Sequence, residues 1–345
     1  DSSTSRGLGD VYKRQLLGIA SAIVAFFLIG IGVSMSGTSL LALLAKGVSD
    51  ERRAAAATTV WLMMIFGFAM TSGIAGKFLD PYEPEKVILI SGIISLSAMA
   101  LSFAALFKLE GHDLQNSKAH ADKKVPFKKA LSDILADPDT KRFTIFIFLS
   151  MLAFSAQDLI LEPFAGMIFN YTLGETTSLS GIQHAGVLTG MLLVAVCGSS
   201  RLRQYFGSLR SWMIYGCLAS ALAMFGLVLA GLLEGDWPLK PNVFLLGLAN
   251  GAFSIAAIAS MMRLAVVGGA GKEGVRIGLW GGAQAIAFGM GGLIGAGASD
   301  LARSIFANPA FAYSSVFFIE ALLFVVSAYM ASLVERKNST TSQAR

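Results

Sequence analysis

Charged residues are scarce in this sequence. Asp, Glu, Lys and Arg make up only 14% of its 345 residues, against about 25% in an ordinary soluble domain. Hydrophobic residues make up 54%, and the mean hydropathy is +0.66. The net charge of +5 does not indicate a nucleic-acid-binding module, because the basic residues lie in short loops and not on one soluble face. This composition excludes a water-soluble globular protein and favours one embedded in lipid.

Cysteine and histidine are also scarce. Cys197 and Cys217 lie in apolar runs without CxxC or Cys/His spacing, which predicts buried free thiols. His112 and His120 fall in a polar loop and His184 in a helix, and the sequence has no nucleophile elbow, P-loop or HExxH motif. We therefore predict that the protein is not an enzyme, holds no metal through a ligand cluster and binds no cofactor tightly.

What the sequence does contain is long apolar runs. A membrane-spanning helix needs about 20 such residues, and runs of that length recur nine times. This predicts an all-α membrane protein. The first run is too long for one straight crossing, so it is expected to overhang the membrane or to bend among Gly30, Gly32 and Gly37. The predicted spans are 18–45, 55–78, 87–107, 142–162, 178–199, 211–233, 242–265, 276–298 and 311–334.

The first fifteen residues form a polar head without an initiator methionine. They lack the apolar stretch of a signal peptide and resemble a translated adapter, so residues 1–15 are interpreted as non-native. The remaining chain divides into helices at 16–109, a lysine-rich loop at 110–141, a six-helix half at 142–335 and a tail at 336–345.

Lysine and arginine in short loops mark the cytoplasmic side of a membrane protein. Outside the head, 20 of these residues fall on the side of the carboxyl tail, and only Lys77, Lys86, Lys240 and Arg303 fall on the other. The tail is therefore predicted to be cytoplasmic. Three spans before the central loop and six after it indicate a major-facilitator-like bundle of twelve helices, of which the first three are missing.

Polar residues inside the spans are expensive in lipid and are therefore candidates for function. Gln157, Asp158 and Glu162 lie near the predicted outer end of the fourth span, and Asp158 and Glu162 share a helix face. Pro163 is expected to end that helix. His184 lies six residues into the next predicted span, about 9 Å from its end, at a depth similar to that of Asp158.

Two interpretations of these groups remain open. They could form a polar pocket for a cation, a proton or the magnesium of a tetrapyrrole. Alternatively, Asp158 faces water at a helix end, and His184 makes a hydrogen bond to a neighbouring helix.

Other spans contain further candidates. Glu320 is the deepest carboxylate and must be protonated, be paired or face a cavity. Asn250 and Gln284 also lie within spans, where interhelical hydrogen bonds would explain them. A stripe of small residues predicts close approach of another helix: Gly278, Gly282, Ala285, Gly289, Gly292 and Ala296.

Several segments resemble a known family. The run QDLILEPFAG at 157–166, followed by GETT at 174–177, resembles the motif of the PucC/LhaA family, the bacteriochlorophyll-delivery branch of the major facilitator superfamily. The segments 50–53, 250–262 and 276–285 agree with it, so the resemblance extends over nearly the whole chain after Gln15. It adds Thr177 and Trp280 to the candidate binding residues.

The resemblance implies a light-harvesting complex assembly factor that delivers bacteriochlorophyll in the inner or photosynthetic membrane of a phototrophic bacterium. Expected partners are membrane lipid, light-harvesting subunits, pigment-synthesis enzymes and bacteriochlorophyll as cargo, with no nucleic acid. An apolar cavity would accept the pigment tail, and His184, Asp158 or Glu162 would meet its ring or magnesium. The alternatives are a proton-coupled transporter that uses Asp158 or Glu320, and a passive scaffold for antenna helices.

Overall fold

The protein is a multi-pass bundle of long α-helices. The computed structural model describes residues 2–48, 53–107, 136–197, 207–233, 236–267 and 273–334. Within these ranges there are nine helices and no strand, and each helix contains a stretch long and apolar enough to cross a membrane. The predictions of an all-α membrane fold and of nine spans are confirmed. The helices are α1 (Ser2–Gly47), α2 (Arg53–Phe78), α3 (Pro84–Leu106), α4 (Pro138–Ile168), α5 (Leu173–Cys197), α6 (Leu209–Leu232), α7 (Leu239–Val267), α8 (Glu273–Ile305) and α9 (Pro309–Leu333).

The chain divides into two compact units. The first holds α1 and the start of α2 through Ala57, and the second begins at Thr58 and holds the rest of α2 with α3 to α9. Helix α1 is unbroken past Gly30, Gly32 and Gly37, and it includes residues 2–15 of the segment interpreted as a non-native head. Most of the predicted central loop, with His112 and His120, and the predicted tail at 336–345 lie outside the described residues.

In the second unit, helices α4 to α9 pack against one another. Helix α5 packs on α7, α6 on α7 and α9, and α4 on α8 and α9. Aromatic contacts join α4 to α9, where the ring of Phe164 lies 4.9 Å from that of Phe317 in an edge-to-face arrangement. Of the two free cysteines, Cys217 is buried as predicted, whereas Cys197, at the end of α5, is only half-buried.

Helix α4 differs from its prediction at both ends. It begins at Pro138 because the side chain of Asp137 caps its first amides. The expectation that Pro163 ends the helix is wrong, since α4 continues to Ile168. Proline removes one helical hydrogen bond, but Phe164 and Ala165 directly after it are fully buried, and their packing holds the last turn in place.

Helix α5 begins at Leu173, five residues before its predicted start. The backbone N–H of Thr172 donates to Glu175 Oε2 (2.9 Å), and the N–H of Glu175 donates to Thr172 Oγ1 (3.2 Å). This is a capping box. Asp80, in the α2–α3 connection, completes it: Thr172 Oγ1 donates to Asp80 Oδ2 (2.5 Å) and Gly174 N donates to Asp80 Oδ1 (3.2 Å).

Replacing Asp80 with alanine is expected to lower the free energy of unfolding by about 1 kcal/mol, because the first turn of α5 loses a capping acceptor. Asp80→Asn keeps an acceptor oxygen and is expected to lose less. Thermal unfolding of the detergent-solubilised protein measures both. Equal stability of Asp80→Ala and the wild type would show that the contact contributes nothing.

Helices α5 and α7 cross at close range through two matched GxxxG motifs. Gly186 and Gly190 on α5 face Gly247 and Gly251 on α7, and a Cβ atom at any of the four would overlap the backbone of the opposite helix. This crossing fixes the position of α5, which carries His184.

The small-residue stripe predicted on α8 contacts another helix at only one of its glycines, since a Cβ atom at Gly292 would lie 3.7 Å from Leu159 Cδ2 of α4. A Cβ atom at Gly278, Gly282 or Gly289 would meet no atom within 4 Å. Helix α8 instead approaches α4 through Gly291 and Gly295, where a Cβ would lie 2.8 Å from Leu152 O and 2.7 Å from Ala156 O respectively. Gly291 and Gly295 are one helical turn apart, so both lie on the side of α8 that packs against α4.

Candidate functional site

A polar cavity lies where α2, α3, α4 and α5 meet. Its volume is about 690 Å³, and Asp158 and Glu162 of α4 line it together with Ser180 and His184 of α5. Met64, Phe68 and Thr71 of α2 and Ile94 of α3 form the opposite wall. The predicted shared face of Asp158 and Glu162 is therefore the face that lines this cavity.

Both carboxyl groups accept hydrogen bonds from the neighbouring helix. Gln183 Nε2 donates to Asp158 Oδ1 (3.0 Å), and Ser180 Oγ donates to Glu162 Oε1 (2.5 Å). Ser180 and Gln183 lie three residues apart on α5, just as Asp158 and Glu162 lie four apart on α4, so two adjacent turns of each helix are linked. These bonds orient the carboxyl groups while leaving them accessible from the cavity.

His184 is oriented by its own helix. Its Nδ1 lies 2.8 Å from the carbonyl oxygen of Ser180, and its ring contacts that of Phe68 in an edge-to-face arrangement, with 5.4 Å between the ring centroids. A carbonyl oxygen can only accept, so in the neutral ring the hydrogen is on Nδ1 and the lone pair is on Nε2. A histidine that donates a hydrogen bond from one ring nitrogen to a carbonyl leaves its other ring nitrogen available to bind a metal ion.

An apolar chamber of about 520 Å³ adjoins the polar cavity. The two share Met64, Phe68, Asp158 and His184 in their walls, so they lie next to each other. The chamber wall is rich in aromatic rings and includes few polar groups, one of which is Gln284. Its aromatic residues are Trp61 and Phe68 of α2, Phe154 of α4 and Phe288 of α8.

Asp158, Glu162, His184 and Gln284 thus line these two adjacent cavities. Thr177 is not: it lies near the start of α5, where its hydroxyl donates to Leu173 O (2.8 Å). Asn250 is buried between α6 and α7, where Ser220 Oγ donates to its Oδ1 (2.7 Å). This is the interhelical hydrogen bond expected for Asn250.

Three further candidates are buried elsewhere in the helical packing. Gln157 and Glu320 have side-chain oxygen atoms, and Trp280 an indole N–H, that find no hydrogen-bond partner among the described residues. Trp280 packs against Phe143, with 5.0 Å between ring centroids. None of the three lines the polar cavity or the apolar chamber.

Sequence reasoning missed Ser180, Gln183 and the α2 wall. A signal for the first two existed, because Ser180, Gln183 and His184 place three polar residues on adjacent turns of an apolar helix. Trp61, Met64 and Phe68 carry no such signal, since apolar residues in a span are ordinary. The described residues contain no group of three or more His, Cys, Asp and Glu side chains that could hold a metal ion.

The fold and the site together define a class: a helical membrane protein with an apolar cavity that ends in a cluster of polar side chains. The model of the family described as PUCC protein matches residues 7–339. The chain belongs to this family, and the resemblance noted in the sequence is confirmed. The match also covers residues 7–15 of the segment set aside as a head.

Among known proteins the chain is similar to three from Rhodobacter capsulatus. It is 49% identical over 311 residues to the "Bacteriochlorophyll synthase 44.5 kDa chain", covering 90% of this chain and 71% of that protein. It is 28% identical over 339 residues to "Protein PucC", covering 96% and 72% of the two chains. It is 29% identical over 330 residues to an uncharacterized protein of the puhA-bchM intergenic region, covering 92% and 67%.

Proposed function

We propose that the protein is a light-harvesting complex assembly factor that binds bacteriochlorophyll and delivers it to antenna subunits. The observation that carries this proposal is the pair of adjacent cavities, one polar and one apolar, with His184 in the walls of both. Membership of the PUCC family and the names of the relatives support a role in photosynthetic pigment handling. They do not favour the alternative of a proton-coupled solute transporter.

The cavity suits a flat, mostly apolar ligand that carries a metal and a few polar groups. Aromatic side chains such as Trp61, Phe154 and Phe288 offer faces and edges to a flat ring. The free Nε2 of His184 would serve as an axial ligand to the magnesium of the pigment. Asp158, Glu162 and Gln284 would interact with polar groups at the periphery of the ring.

We propose that this chain handles the pigment and does not synthesise it. One relative is named a bacteriochlorophyll synthase chain, which connects that protein by name to pigment synthesis. The groups around the cavity here are fixed by hydrogen bonds between α4 and α5 and by the helix backbone, an arrangement suited to holding a ligand in one orientation. Contact with pigment-synthesis enzymes and light-harvesting subunits would supply the cargo and receive it.

The proposal includes a location and a topology. The charge asymmetry of the loops supports a cytoplasmic carboxyl terminus in the inner or intracytoplasmic photosynthetic membrane. The arrangement of three helices followed by six supports a major-facilitator-like bundle of twelve helices, in which the six form the second half.

A complementation experiment tests the function. In a phototrophic strain that lacks the native gene, plasmid-borne wild-type protein is expected to restore antenna absorption. Asp158→Ala and Glu162→Ala are expected to restore much less, because each removes a polar group from the cavity and a link between α4 and α5. Asp300→Ala is the matched control, since this aspartate is exposed on α8 away from the cavity.

Antenna absorption per cell and the amount of tagged protein in the membrane are measured together. A deletion strain that assembles normal antennae in normal amounts would refute the function. Normal assembly with both cavity variants at wild-type abundance would refute the site and favour the passive scaffold.

A further inference from the structure

Two buried polar side chains without partners lie in the contact between α4 and α9. Gln157 of α4 is 0% exposed and Glu320 of α9 is 3% exposed. None of the four nitrogen and oxygen atoms at the ends of these side chains has a hydrogen-bond partner among the described residues. A buried polar group without a partner is strongly unfavourable, above all within a membrane, so both side chains require one.

The aromatic contacts of the two helices show which faces carry these residues. Phe164 of α4 contacts Tyr313 and Phe317 of α9, with 5.7 Å and 4.9 Å between the ring centroids. Gln157 precedes Phe164 by seven residues, and Glu320 follows Tyr313 by seven. Seven residues are almost two full turns, so each polar residue lies on the same helix face as its aromatic neighbour, about 10 Å farther along the helix. Gln157 therefore faces α9, and Glu320 faces α4.

The two helices run in opposite directions. The hydroxyl of Tyr313, near the start of α9, donates to Met167 Sδ (3.4 Å), in the last turn of α4. Moving back along α4 from Phe164 and forward along α9 from Tyr313 therefore leads toward the same side of the bundle. Because the two steps have equal length, Gln157 and Glu320 lie at a similar level on facing sides of two packed helices.

Charged groups on the helices that pack against α9 lie elsewhere. On α4, Asp158 and Glu162 accept hydrogen bonds from α5 and line the polar cavity. Cys217 of α6 is a buried thiol. Glu320 is near the middle of α9, so an ionised carboxylate there has no described cation opposite it. The other charged side chains described on α4, α6, α7 and α8 lie within two turns of a helix end: Asp139, Lys141, Arg142, Arg210, Lys240, Arg263, Arg276, Asp300 and Arg303.

We propose that Glu320 binds a proton and pairs with Gln157 across the α4–α9 contact. A protonated carboxyl group offers an O–H donor and a carbonyl acceptor, and a carboxamide offers an N–H donor and a carbonyl acceptor. The hydroxyl of Glu320 donates to Gln157 Oε1, and Gln157 Nε2 donates to the other oxygen of Glu320. Rotation of the two flexible side chains brings these ends together.

The bound proton is what makes the pair complete. With it, all four unpaired atoms gain a partner, whereas an ionised Glu320 has no hydrogen to donate to Gln157 Oε1. The site lies outside the polar cavity and the apolar chamber, so it does not depend on the proposed pigment function. It joins α9 to the helix that carries the cavity carboxyl groups Asp158 and Glu162.

Infrared spectroscopy of the purified chain at neutral pH tests whether Glu320 is protonated. The carbonyl stretching band of a protonated carboxyl group is separate from the bands of ionised carboxylates and amides. Glu320→Gln is expected to remove one such band. Asp300→Asn is the matched control, because this carboxyl group is exposed on α8 and its removal should leave the band in place. If Glu320→Gln removes no protonated-carboxyl band, Glu320 is ionised and the proposal is overturned.

Gln157→Leu tests the partner. A hydrogen bond to the carbonyl oxygen of a carboxyl group lowers its stretching frequency, so the Glu320 band is expected to move to higher frequency in this variant. Gln284→Leu is the control, the same change at a glutamine of α8 that lines the apolar chamber, and it should leave the band where it is. A Glu320 band that does not move in Gln157→Leu would overturn the pairing.

A double-mutant cycle by thermal unfolding tests the pair independently of the spectra. Gln157→Leu and Glu320→Leu each leave one buried partner unsatisfied and are each expected to lower the unfolding temperature. The double variant should lose clearly less than the sum of the two, because neither unpaired group remains. Glu320→Gln keeps a carboxamide that can pair with Gln157, so its unfolding temperature should stay near that of the wild type. Additive losses in the cycle would show that the two side chains do not interact.

Discussion

Replacing Gly190 with valine is expected to prevent α5 from packing on α7. A Cβ atom at this position would overlap the carbonyl oxygen of Leu248 and lie 3.0 Å from Ala252 N. Backbone atoms cannot rotate away as a flexible side chain can, so the helices must separate. We expect the free energy of unfolding to fall by about 3 kcal/mol, the upper part of the usual range for overpacking. Separation of the helices also displaces His184 and Ser180, so antenna assembly should fall with stability.

The measurement is thermal unfolding of the solubilised protein together with its abundance in the membrane. Gly297→Val is the matched control, because a Cβ at Gly297 meets no atom within 4 Å and the residue is exposed. The control should change stability only by the difference in helix propensity between the two residues, which favours valine by a few tenths of a kcal/mol. Equal effects of the two substitutions would show that the α5–α7 crossing is not as close as described.

If His184 is the axial ligand proposed above, replacing it with glycine is expected to weaken binding of a magnesium tetrapyrrole by about tenfold or more. Binding of the metal-free pigment, bacteriopheophytin, should be nearly unchanged, since it has no magnesium to ligate. The ratio of the two affinities therefore reports ligation, whereas a general disturbance of the cavity would lower both.

Chemical rescue strengthens the test. Free imidazole added to His184→Gly can occupy the space that the side chain vacates and is expected to restore binding of the magnesium pigment. Its absorption band should return toward the wild-type position. Equal loss of both pigments, or loss that imidazole does not reverse, would leave His184 a wall residue and remove it as a ligand.

The number and class of the helices could be predicted because the apolar runs are long and separated by polar loops. Their ends could not be predicted from hydropathy. Asp137 and the pair Thr172 and Glu175 extend α4 and α5 beyond the apolar runs, since polar capping residues stabilise helix termini without lengthening an apolar run. A search for Thr-x-x-Glu before an apolar run would have placed the start of α5 correctly.

The half of the candidate site that lies on α4 could be predicted from the sequence, because its two carboxylates are close together on one helix. The shared face of Asp158 and Glu162 follows from helical spacing alone. The hydrogen bonds to Gln183 and Ser180 depend on which face α5 turns toward α4, and one sequence does not specify that. For the same reason Glu320 could be recognised as an unusual residue and Trp280 as part of a family motif, but nothing in the sequence showed that they lie outside the cavity.

Glycine spacing corresponds to a close helix crossing between α5 and α7, but it is misleading along α8. The spacing of Gly186 and Gly190, and of Gly247 and Gly251, is the motif that forms close helix crossings, and both pairs are used. The stripe along α8 has the same kind of spacing, yet much of it faces open space. Spacing identifies a face that permits close approach, whereas the partner that comes close depends on the rest of the bundle.

The capping of α5 by Asp80 links two regions that are made at different times. The aspartate precedes Thr172 by 92 residues, so during synthesis it enters the membrane before the helix end that it serves. The amides at the start of α5 gain this partner only when that helix meets α2. Packing of α5 beside α2 therefore forms this contact and also closes the wall opposite Asp158, and a ribosome-bound fragment that stops short of Thr172 has neither.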